Sequence, residues 1–399
     1  MLKNNNYNIR LVDFLIFILV LLSELPRIYT FSQVNAVNVA INLLQIPCYL
    51  GIVFLIIRKR YSLKILINYA VILAILFIGY MFSGQAAFFR GGMLILATRD
   101  YPYKRIVRTS RYAITSVFTL ALFLWITGLS DAGIARRGGI AFGYVHPNIA
   151  AQVIMIIILL WLVEKGRNIK KRDYAIFELI VIFVFVVTKS RTATLIVAMA
   201  PIIIEITKRI CVKKSHRKIS VLLLQCSQLI MFFFTCITAM KLPDSNLLKI
   251  LDLALSNRLF LNYYLLNKFP LKLFGQNVNL TESDVYNNIQ NIYGAAVTCD
   301  CTYTLSLIIM GLIPTVLFCL GYVLIIKKAL KNNNYIILAT CILLTAYAFC
   351  ESQMVEIYNY FVYFYIFAKD DMEIARVNSN PRIPFVTQDS LFVNENPVL

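Results

Sequence analysis

A short turn between two apolar segments carries the first residues that could do chemistry. The sequence Thr-Lys-Ser-Arg-Thr at 188–192 places Lys189, Ser190 and Arg191 in a turn too short to carry them far from these segments. The planar guanidinium group of arginine binds phosphate oxygens through two parallel hydrogen bonds, and burial does not remove its charge. The turn is therefore a candidate phosphate-binding site, and the alternative is an arginine that only snorkels to water.

A second polar stretch leads from Arg136 to Asn148 into another apolar segment. Arg136 and Arg137 open the stretch, glycines follow them, and Pro147 suits the first turn of the next helix. His146 and Asn148 would then lie beside a helix N-terminus, where free N–H groups and a partial positive charge favour phosphate. The alternative is a turn and cap in which His146 forms a local hydrogen bond.

Two further arginines and one carboxylate complete the candidate set. Arg258 lies on a predicted surface helix and Arg90 lies in a short apolar segment, and a solvated or snorkelled side chain is the alternative for both. Asp300 lies in Cys-Asp-Cys-Thr-Tyr at 299–303, where a polar segment enters an apolar one. Partial desolvation there could raise its pKa toward that of a general base, or Asp300 could simply cap a helix. Together the arginines predict a cationic cavity suited to a lipid diphosphate.

The composition identifies the elements that must position these residues. The chain has 399 residues, of which 59% are hydrophobic and 15% are charged, and its mean hydropathy is +0.72. Soluble domains are near half apolar and a quarter charged, so a cytosolic enzyme or a secreted domain is excluded. The nine cysteines lie mostly in or beside apolar runs, and Cys299 and Cys301 are poorly placed for an unstrained bridge. The sequence therefore predicts an all-α integral membrane protein without a disulfide framework.

Apolar windows bounded by charge clusters predict about twelve transmembrane helices within residues 1–368. The fourth is short, and the first is read as a retained helix rather than a signal peptide. The predicted spans are 12–30, 36–57, 64–82, 86–98, 112–130, 148–164, 174–189, 191–207, 219–240, 302–326, 335–351 and 354–368.

The distribution of basic residues predicts the orientation. With both termini in the cytoplasm, 28 of the 39 Lys and Arg residues lie on the cytoplasmic side, ten lie on the outer side and one lies in the fourth span. This bias is typical of cytoplasmic loops, so the net charge of +19 does not indicate a nucleic-acid partner. The segment 369–399 is predicted to be a disordered cytoplasmic tail.

One outer loop, at about 241–301, is much longer than the others and is expected to carry function or structure. Leucines recur there every four residues from Leu247 to Leu259, which predicts an amphipathic helix on the membrane surface ending before Pro270 and Gly275. Glu351 and Glu356 flank the last outer turn, and nothing in the sequence distinguishes them from solvated helix ends.

The motifs resemble those of bacterial O-antigen and capsular polysaccharide polymerases of the Wzy type, which are related to the O-antigen ligases. The resemblance extends from about the third to the eleventh span, and each motif is short, but their order and sidedness agree with the family. The matching segments are Gly-Tyr-Val-His-Pro-Asn-Ile-Ala-Ala at 143–151, Ser-Arg-Thr at 190–192, Asn-Arg-Leu at 257–259, Leu-Phe-Gly at 273–275, Asp-Cys-Thr-Tyr at 300–303 and Gly-Leu-Ile at 311–313. Two departures are Asp300, where ligases commonly have histidine, and Cys301-Thr302 in place of Asn-Ser.

The resemblance implies a GT-C-like membrane glycosyltransferase that needs no cofactor and no metal. Its donor and acceptor would be undecaprenyl-diphosphate-linked oligosaccharides, and a flippase and a chain-length regulator are further expected partners. Asp300 and His146 are the two candidate bases, and the sequence does not choose between them. The expected ligands of the diphosphate and glycan are Arg191, Arg258, Arg137, Arg136, Arg90, Asn148, Ser190 and Tyr303.

Two other functions fit the sequence. A flippase for lipid-linked units would also have about twelve spans and a cationic cavity, but it has no need of a sixty-residue outer loop. An O-antigen-ligase-type transferase would differ only in its acceptor, which no residue identifies.

Overall fold

The computed structural model describes residues 2–59, 61–130, 138–212, 218–278, 300–352 and 357–370. Arg136 and Arg137, two of the predicted phosphate ligands, lie outside the described residues, as do Cys299, Glu356 and most of the predicted tail. The described part of the chain contains helices and no strands.

The helices of the described residues follow one another along the chain, many of them separated by short turns. The first nine are α1 (Leu2–Glu24), α2 (Tyr29–Ser32), α3 (Asn35–Arg58), α4 (Leu63–Ser83), α5 (Ala87–Ala97), α6 (Tyr103–Ile126), α7 (Pro147–Lys165), α8 (Lys171–Thr188) and α9 (Arg191–Val212). The remaining ones are α10 (Lys218–Gln225), α11 (Ser227–Lys241), α12 (Asn246–Ala254), α13 (Arg258–Lys268), α14 (Thr302–Leu305), α15 (Leu312–Lys331) and α16 (Tyr335–Cys350), followed by a 3₁₀ helix at Ile357–Ile366.

Five helices of the described chain are long and apolar enough to cross a membrane. They are Asn35–Arg58, Leu63–Ser83, Tyr103–Ile126, Pro147–Asn168 and Leu312–Lys331, where the fourth range adds a 3₁₀ turn to α7. In the apolar windows of α7 and α15, 56% of the residues are buried, whereas the figure for α4 is 11%. Helices α7 and α15 are therefore central, and α4 exposes the apolar surface that a lipid-facing helix presents.

Several predicted spans differ from the helices in the structure. Helix α5 has eleven residues and a length of about 16 Å, which is short of the roughly 30 Å hydrocarbon core. The ninth predicted span is divided at Cys226, the tenth is divided at Gly311, and the described part of the twelfth is the 3₁₀ helix.

The division at Gly311 has a physical cause in a distant segment of the chain. A π-helical turn precedes Gly311, and the backbone of Gly311 has φ 91° and ψ 171°. The N–H groups of Leu312 and Ile313 donate to the carbonyls of Lys272 and Leu273, at 3.0 Å each. Residues from the middle of the long loop therefore satisfy backbone groups that an uninterrupted helix would satisfy internally.

Close contact between two glycines makes this pairing possible. A Cβ atom on Gly311 would lie 2.1 Å from the backbone nitrogen of Gly275, and a Cβ on Gly275 would lie 2.0 Å from the carbonyl oxygen of Ile309. Neither position accepts another residue without movement of the backbone.

The predicted single amphipathic helix of the long loop is wrong in its extent. Helix α12 ends at Ala254, and α13 begins at Arg258. Between them Ser256 and Asn257 have φ values of 59° and 63°, a left-handed conformation that interrupts a helix. The leucine spacing concealed this break because Leu259 still follows the four-residue period, yet it is buried.

The start of the predicted tail is also shifted. The N–H of Lys369 donates to the carbonyl of Tyr101 at 2.8 Å, and the Asn334 amide donates to Asp370 at 3.2 Å. Residues 369 and 370 are therefore packed against the bundle, and a tail can begin only at residue 371.

Candidate functional site at one end of the bundle

One end of the bundle collects the polar segments that the sequence analysis singled out. The backbone N–H of Tyr29 donates to Gly143 (2.9 Å), and that of Ile140 donates to Val187 (2.9 Å). These bonds join the stretch before α7 to the start of α2 and the end of α8. The residues discussed below lie on segments that meet at this end, which is here named the polar end.

At the polar end three residues from three segments surround the guanidinium group of a fourth residue, Arg258. Arg258 Nη2 lies 2.9 Å from Glu351 Oε1, Nη1 lies 3.1 Å from Thr192 Oγ1, and Nε lies 3.5 Å from Asp300 Oδ2. Thr192, Arg258, Asp300 and Glu351 are called the Arg258 cluster below. Arg258 and Glu351 are largely buried, with side chains 15% and 10% exposed, whereas the Asp300 side chain is 33% exposed.

Asp252 fixes the position of Arg258. Its carboxylate, 7% exposed, accepts hydrogen bonds from the N–H groups of Leu259 (2.7 Å) and Phe260 (3.1 Å). These N–H groups are in the first turn of α13, where they have no partner within the helix. Burial raises the pKa of Asp252, and the two backbone bonds oppose that shift. Asp252 caps the helix that begins with Arg258, a role that its position in the sequence did not predict.

Glu351 is the second residue that sequence reasoning missed as part of the site. It follows the last residue of α16 and is buried. Burial raises its pKa from the ordinary 4.5 to about 7; the charge of Arg258 opposes the shift and that of Asp300 adds to it. A carboxylate directly after a long apolar run has the same local sequence at a solvated helix end, so no local signal identified its partner.

The alternative interpretation of Asp300 as a helix cap is not supported by the geometry. The N-cap position of α14 is occupied by Cys301, and Asp300 precedes it. Its carboxylate instead faces Arg258, and its charge is also felt at His146, where it acts to raise the imidazole pKa. The structure therefore brings Asp300 close to both Arg258 and His146.

His146 caps α7, as in the alternative interpretation in which it forms a local hydrogen bond. Its Nδ1 accepts a hydrogen bond from the backbone N–H of Asn148 at 3.1 Å, and Pro147 is the first residue of the helix. Because Nδ1 uses its lone pair as an acceptor, the neutral imidazole is assigned the tautomer with its proton on Nε2. Desolvation lowers the pKa of His146 despite the opposing effect of Asp300. His146 therefore presents a donor, and the exposed side chain of Asn148 lies beside it.

Arg191 is the first residue of α9, next to Thr192 of the Arg258 cluster. Its side chain is exposed, and it forms no hydrogen bond or ion pair with other described residues. The turn before it is fixed by the N–H of Ser190, which donates to Thr188 Oγ1 at 3.2 Å, and by a left-handed Lys189 with φ 56°. Ser190 itself is buried. The N-terminus of a long helix thus holds a cation that has no ion-pair partner in the part of the chain that the structure describes.

Two predicted ligands lie elsewhere. Arg90 donates to Gln45 Oε1 on α3 at 2.9 Å, with its guanidinium group over the Tyr49 ring. Tyr303 is fully buried, and its hydroxyl lies 3.0 Å from Gln228 Oε1. Both side chains are occupied by contacts within the bundle, and neither belongs to the Arg258 cluster.

Within the described residues, no group of three or more His, Cys, Asp or Glu side chains is arranged to hold a metal ion. The two carboxylates of the Arg258 cluster instead share an arginine. The chemistry available at the polar end is thus that of a paired arginine, two carboxylates, an imidazole N–H and an exposed arginine.

No family model, no curated protein and no solved structure matches this chain.

Proposed function

We propose that the chain is a membrane polysaccharide polymerase, which joins undecaprenyl-diphosphate-linked repeat units at the outer face of the cytoplasmic membrane. The reaction is an inverting glycosyl transfer of the kind used for O-antigen, capsule or exopolysaccharide. The observation that carries the proposal is the meeting of Thr192, Arg258 and Asp300 at one end of an all-helical bundle. Three separate motifs of the resemblance thus contribute to one cluster. Twelve spans, a GT-C-like architecture and cytoplasmic termini belong to the same proposal.

Arg191 is the proposed ligand of the donor diphosphate. Its exposed guanidinium group has no counter-charge among the described residues, so it can receive an anion without first breaking an ion pair. The N-terminus of α9 adds a partial positive charge at the same place. Negative charge develops on the departing diphosphate, and a preorganised cation there stabilises the transition state more than the ground state.

Asp300 is the proposed base. Its carboxylate is one-third exposed, whereas Nδ1 of His146 is occupied by a backbone N–H. The acceptor hydroxyl gives its proton to Asp300 as its oxygen bonds to the anomeric carbon, and the bond from that carbon to the diphosphate breaks with its electron pair. The Nε2–H of His146 is then a donor for a hydroxyl or phosphate oxygen.

The test is polymerisation by purified protein in vesicles, supplied with lipid-linked repeat units isolated from cells that lack the protein. Units are offered only on the face that carries the polar end. A ladder of polymer from the wild type, and no ladder from Asp300→Asn, is expected. Movement of the label across the bilayer without a ladder would instead identify a flippase, and transfer only to a different acceptor would identify a ligase.

A further inference from the structure

We infer that Glu351 is a positioning residue which, through Arg258, fixes the Asp300 carboxylate for proton transfer, and that Arg258 is not a ligand of the diphosphate. This inference rests on the proposed function for the role of Asp300. It adds one residue to the site and assigns Arg258 to the base rather than to the donor.

The contacts of Arg258 leave it poorly placed to bind a phosphate group. Two of its three guanidinium nitrogens donate hydrogen bonds to Glu351 and Thr192, and the third, Nε, lies 3.5 Å from Asp300 Oδ2 in an ion pair without a hydrogen bond. Its carboxylate partners bring up to two negative charges to one cation. A diphosphate arriving there would have to displace an ion pair of 2.9 Å and would meet uncompensated negative charge. Arg191 offers the same group without that competition.

Glu351 is connected to Asp300 by two routes. The first runs through Arg258, which bonds Glu351 with one nitrogen and approaches Asp300 with another. The second runs through the main chain. Thr302, two residues beyond Asp300, donates a hydrogen bond from its hydroxyl to the backbone carbonyl of Glu351. Movement of Glu351 would therefore move both the counter-ion and the backbone of the proposed base.

The burial of Glu351 argues against a direct role as the base. Its side chain is 10% exposed and bonded to Arg258, while Asp300 is more than three times as exposed. A group that cannot reach the acceptor hydroxyl can still set the properties of one that can. Among the described residues, the titratable and charged groups that interact with Glu351 are Arg258, Asp300 and the thiol of Cys350, and Thr192 is a further polar partner.

The protonation of Glu351 gives the inference a pH signature. Burial raises its pKa to about 7. When Glu351 is protonated, Arg258 is left to pair with Asp300 alone, so the arginine holds the Asp300 carboxylate more tightly and competes with the acceptor hydroxyl for it. Activity is therefore expected to rise as Glu351 ionises through about pH 7. Glu351→Gln resembles the protonated side chain and should lack this rise.

The kinetic test compares Glu351→Gln and Arg258→Lys with Arg191→Gln as the matched donor-site control. The first two variants should lower kcat about tenfold or more, change the KM of the lipid-linked donor less than twofold, and lose the rise near pH 7. Arg191→Gln should raise the donor KM and keep the rise. An Arg258→Lys variant with raised donor KM and unchanged kcat, or a Glu351→Gln variant with an unchanged pH profile, would overturn the inference.

Two measurements without turnover separate this inference from the proposed function. Undecaprenyl diphosphate in nanodiscs should bind to Glu351→Gln and Arg258→Lys as to the wild type, and more weakly to Arg191→Gln. Infrared difference spectra should show a protonated carboxyl band that titrates near pH 7 and is absent from Glu351→Gln. If the wild type makes no polymer but both results hold, the reaction assignment fails and the Glu351–Arg258 pairing stands. The pairing is refuted if Arg258→Lys loses lipid binding or if Glu351→Gln retains the titrating band. If Glu351→Gln does not insert into the membrane, lipid binding by Arg258→Lys decides whether the pairing stands.

Discussion

Replacing Arg191 with lysine tests the proposed donor site most directly. Lysine keeps the positive charge at the start of α9 but lacks the planar fork that binds two phosphate oxygens at once. Because Arg191 is exposed and forms no ion pair with other described residues, the substitution breaks no hydrogen bond or ion pair within the described part of the chain. A loss of activity would therefore reflect a lost contact with substrate rather than misfolding.

The expected magnitude follows from the strength of a transition-state contact. Removing one preorganised donor from a charge that develops during reaction costs roughly 2 to 4 kcal/mol in the barrier. Each 1.36 kcal/mol corresponds to a tenfold change in rate, so kcat/KM should fall about 30-fold to about 1000-fold. A side chain that only snorkels to water would lose almost nothing, since lysine snorkels equally well.

The assay is the vesicle polymerisation reaction with lipid-linked units, read as rate and chain length. Lys189→Gln is the matched control, because it removes an exposed charge two residues away in the same turn. Lys189→Gln should stay within about twofold of the wild type, while Arg191→Lys loses most of its activity at equal amounts of inserted protein. Equal chain length and yield from Arg191→Lys would refute the diphosphate role.

Four other expectations follow from the structure. Gly311→Ala should abolish accumulation of folded protein, because the new Cβ would lie 2.1 Å from a backbone nitrogen. Gly84 is the control, because it also has positive φ but a Cβ there would meet nothing within 4 Å. Gly84→Ala should lower the free energy of unfolding by only about 1 kcal/mol in a melting experiment. The pKa of Glu351 is about 7 in the folded state and has its ordinary value of 4.5 in the unfolded chain. The side chain therefore contributes fully to the free energy of unfolding below about pH 4.5, and this contribution falls by about 3 kcal/mol as the pH rises through 7. Melting curves of wild type and Glu351→Gln in detergent check this, and parallel pH profiles would contradict it. Asp244→Cys, in an exposed turn beside α12, should react with an impermeant maleimide in intact cells; reaction only after lysis would reverse the proposed orientation. Polymerisation should persist in EDTA, and loss of activity restored by magnesium would contradict the metal-free mechanism.

The sequence predicted the positions of several helix ends closely. Span six was predicted from residue 148, and α7 begins at Pro147; the boundary between spans seven and eight was predicted at 189–191, and α9 begins at Arg191. These ends are readable because a run of apolar residues must satisfy its backbone hydrogen bonds within a helix, and a polar turn, with proline at the first position of α7, marks the boundary.

The interruption at Gly311 could not be read in the same way. Hydropathy averages over a window, and one glycine within an apolar run lowers it only slightly. The break depends on Lys272 and Leu273, which supply carbonyls from a segment far earlier in the chain. Local pattern contains no information about that pairing, so the tenth span was predicted as continuous.

The candidate site divides along the same line. Sidedness was enough to predict that Arg258 and Asp300 lie at one end, since both border the same long loop. Their ion pair, and the part played by Glu351, depend on how α13 and α16 pack. A carboxylate that ends an apolar run has the same local sequence whether it is solvated or faces an arginine.

Arg191 and Arg258 show how far packing alters the meaning of a residue type. In the sequence both are arginines in polar segments between apolar ones, and both were assigned to the diphosphate. In the structure two carboxylates flank Arg258, and Arg191 has no counter-charge among the described residues. Arg258 therefore organises acidic groups, while Arg191 is available to an incoming anion. The two side chains have the same chemistry and differ in their surroundings, so the same substitution should have different effects. Arg258→Lys should lower kcat, whereas Arg191→Lys should lower both the affinity for the donor and the rate.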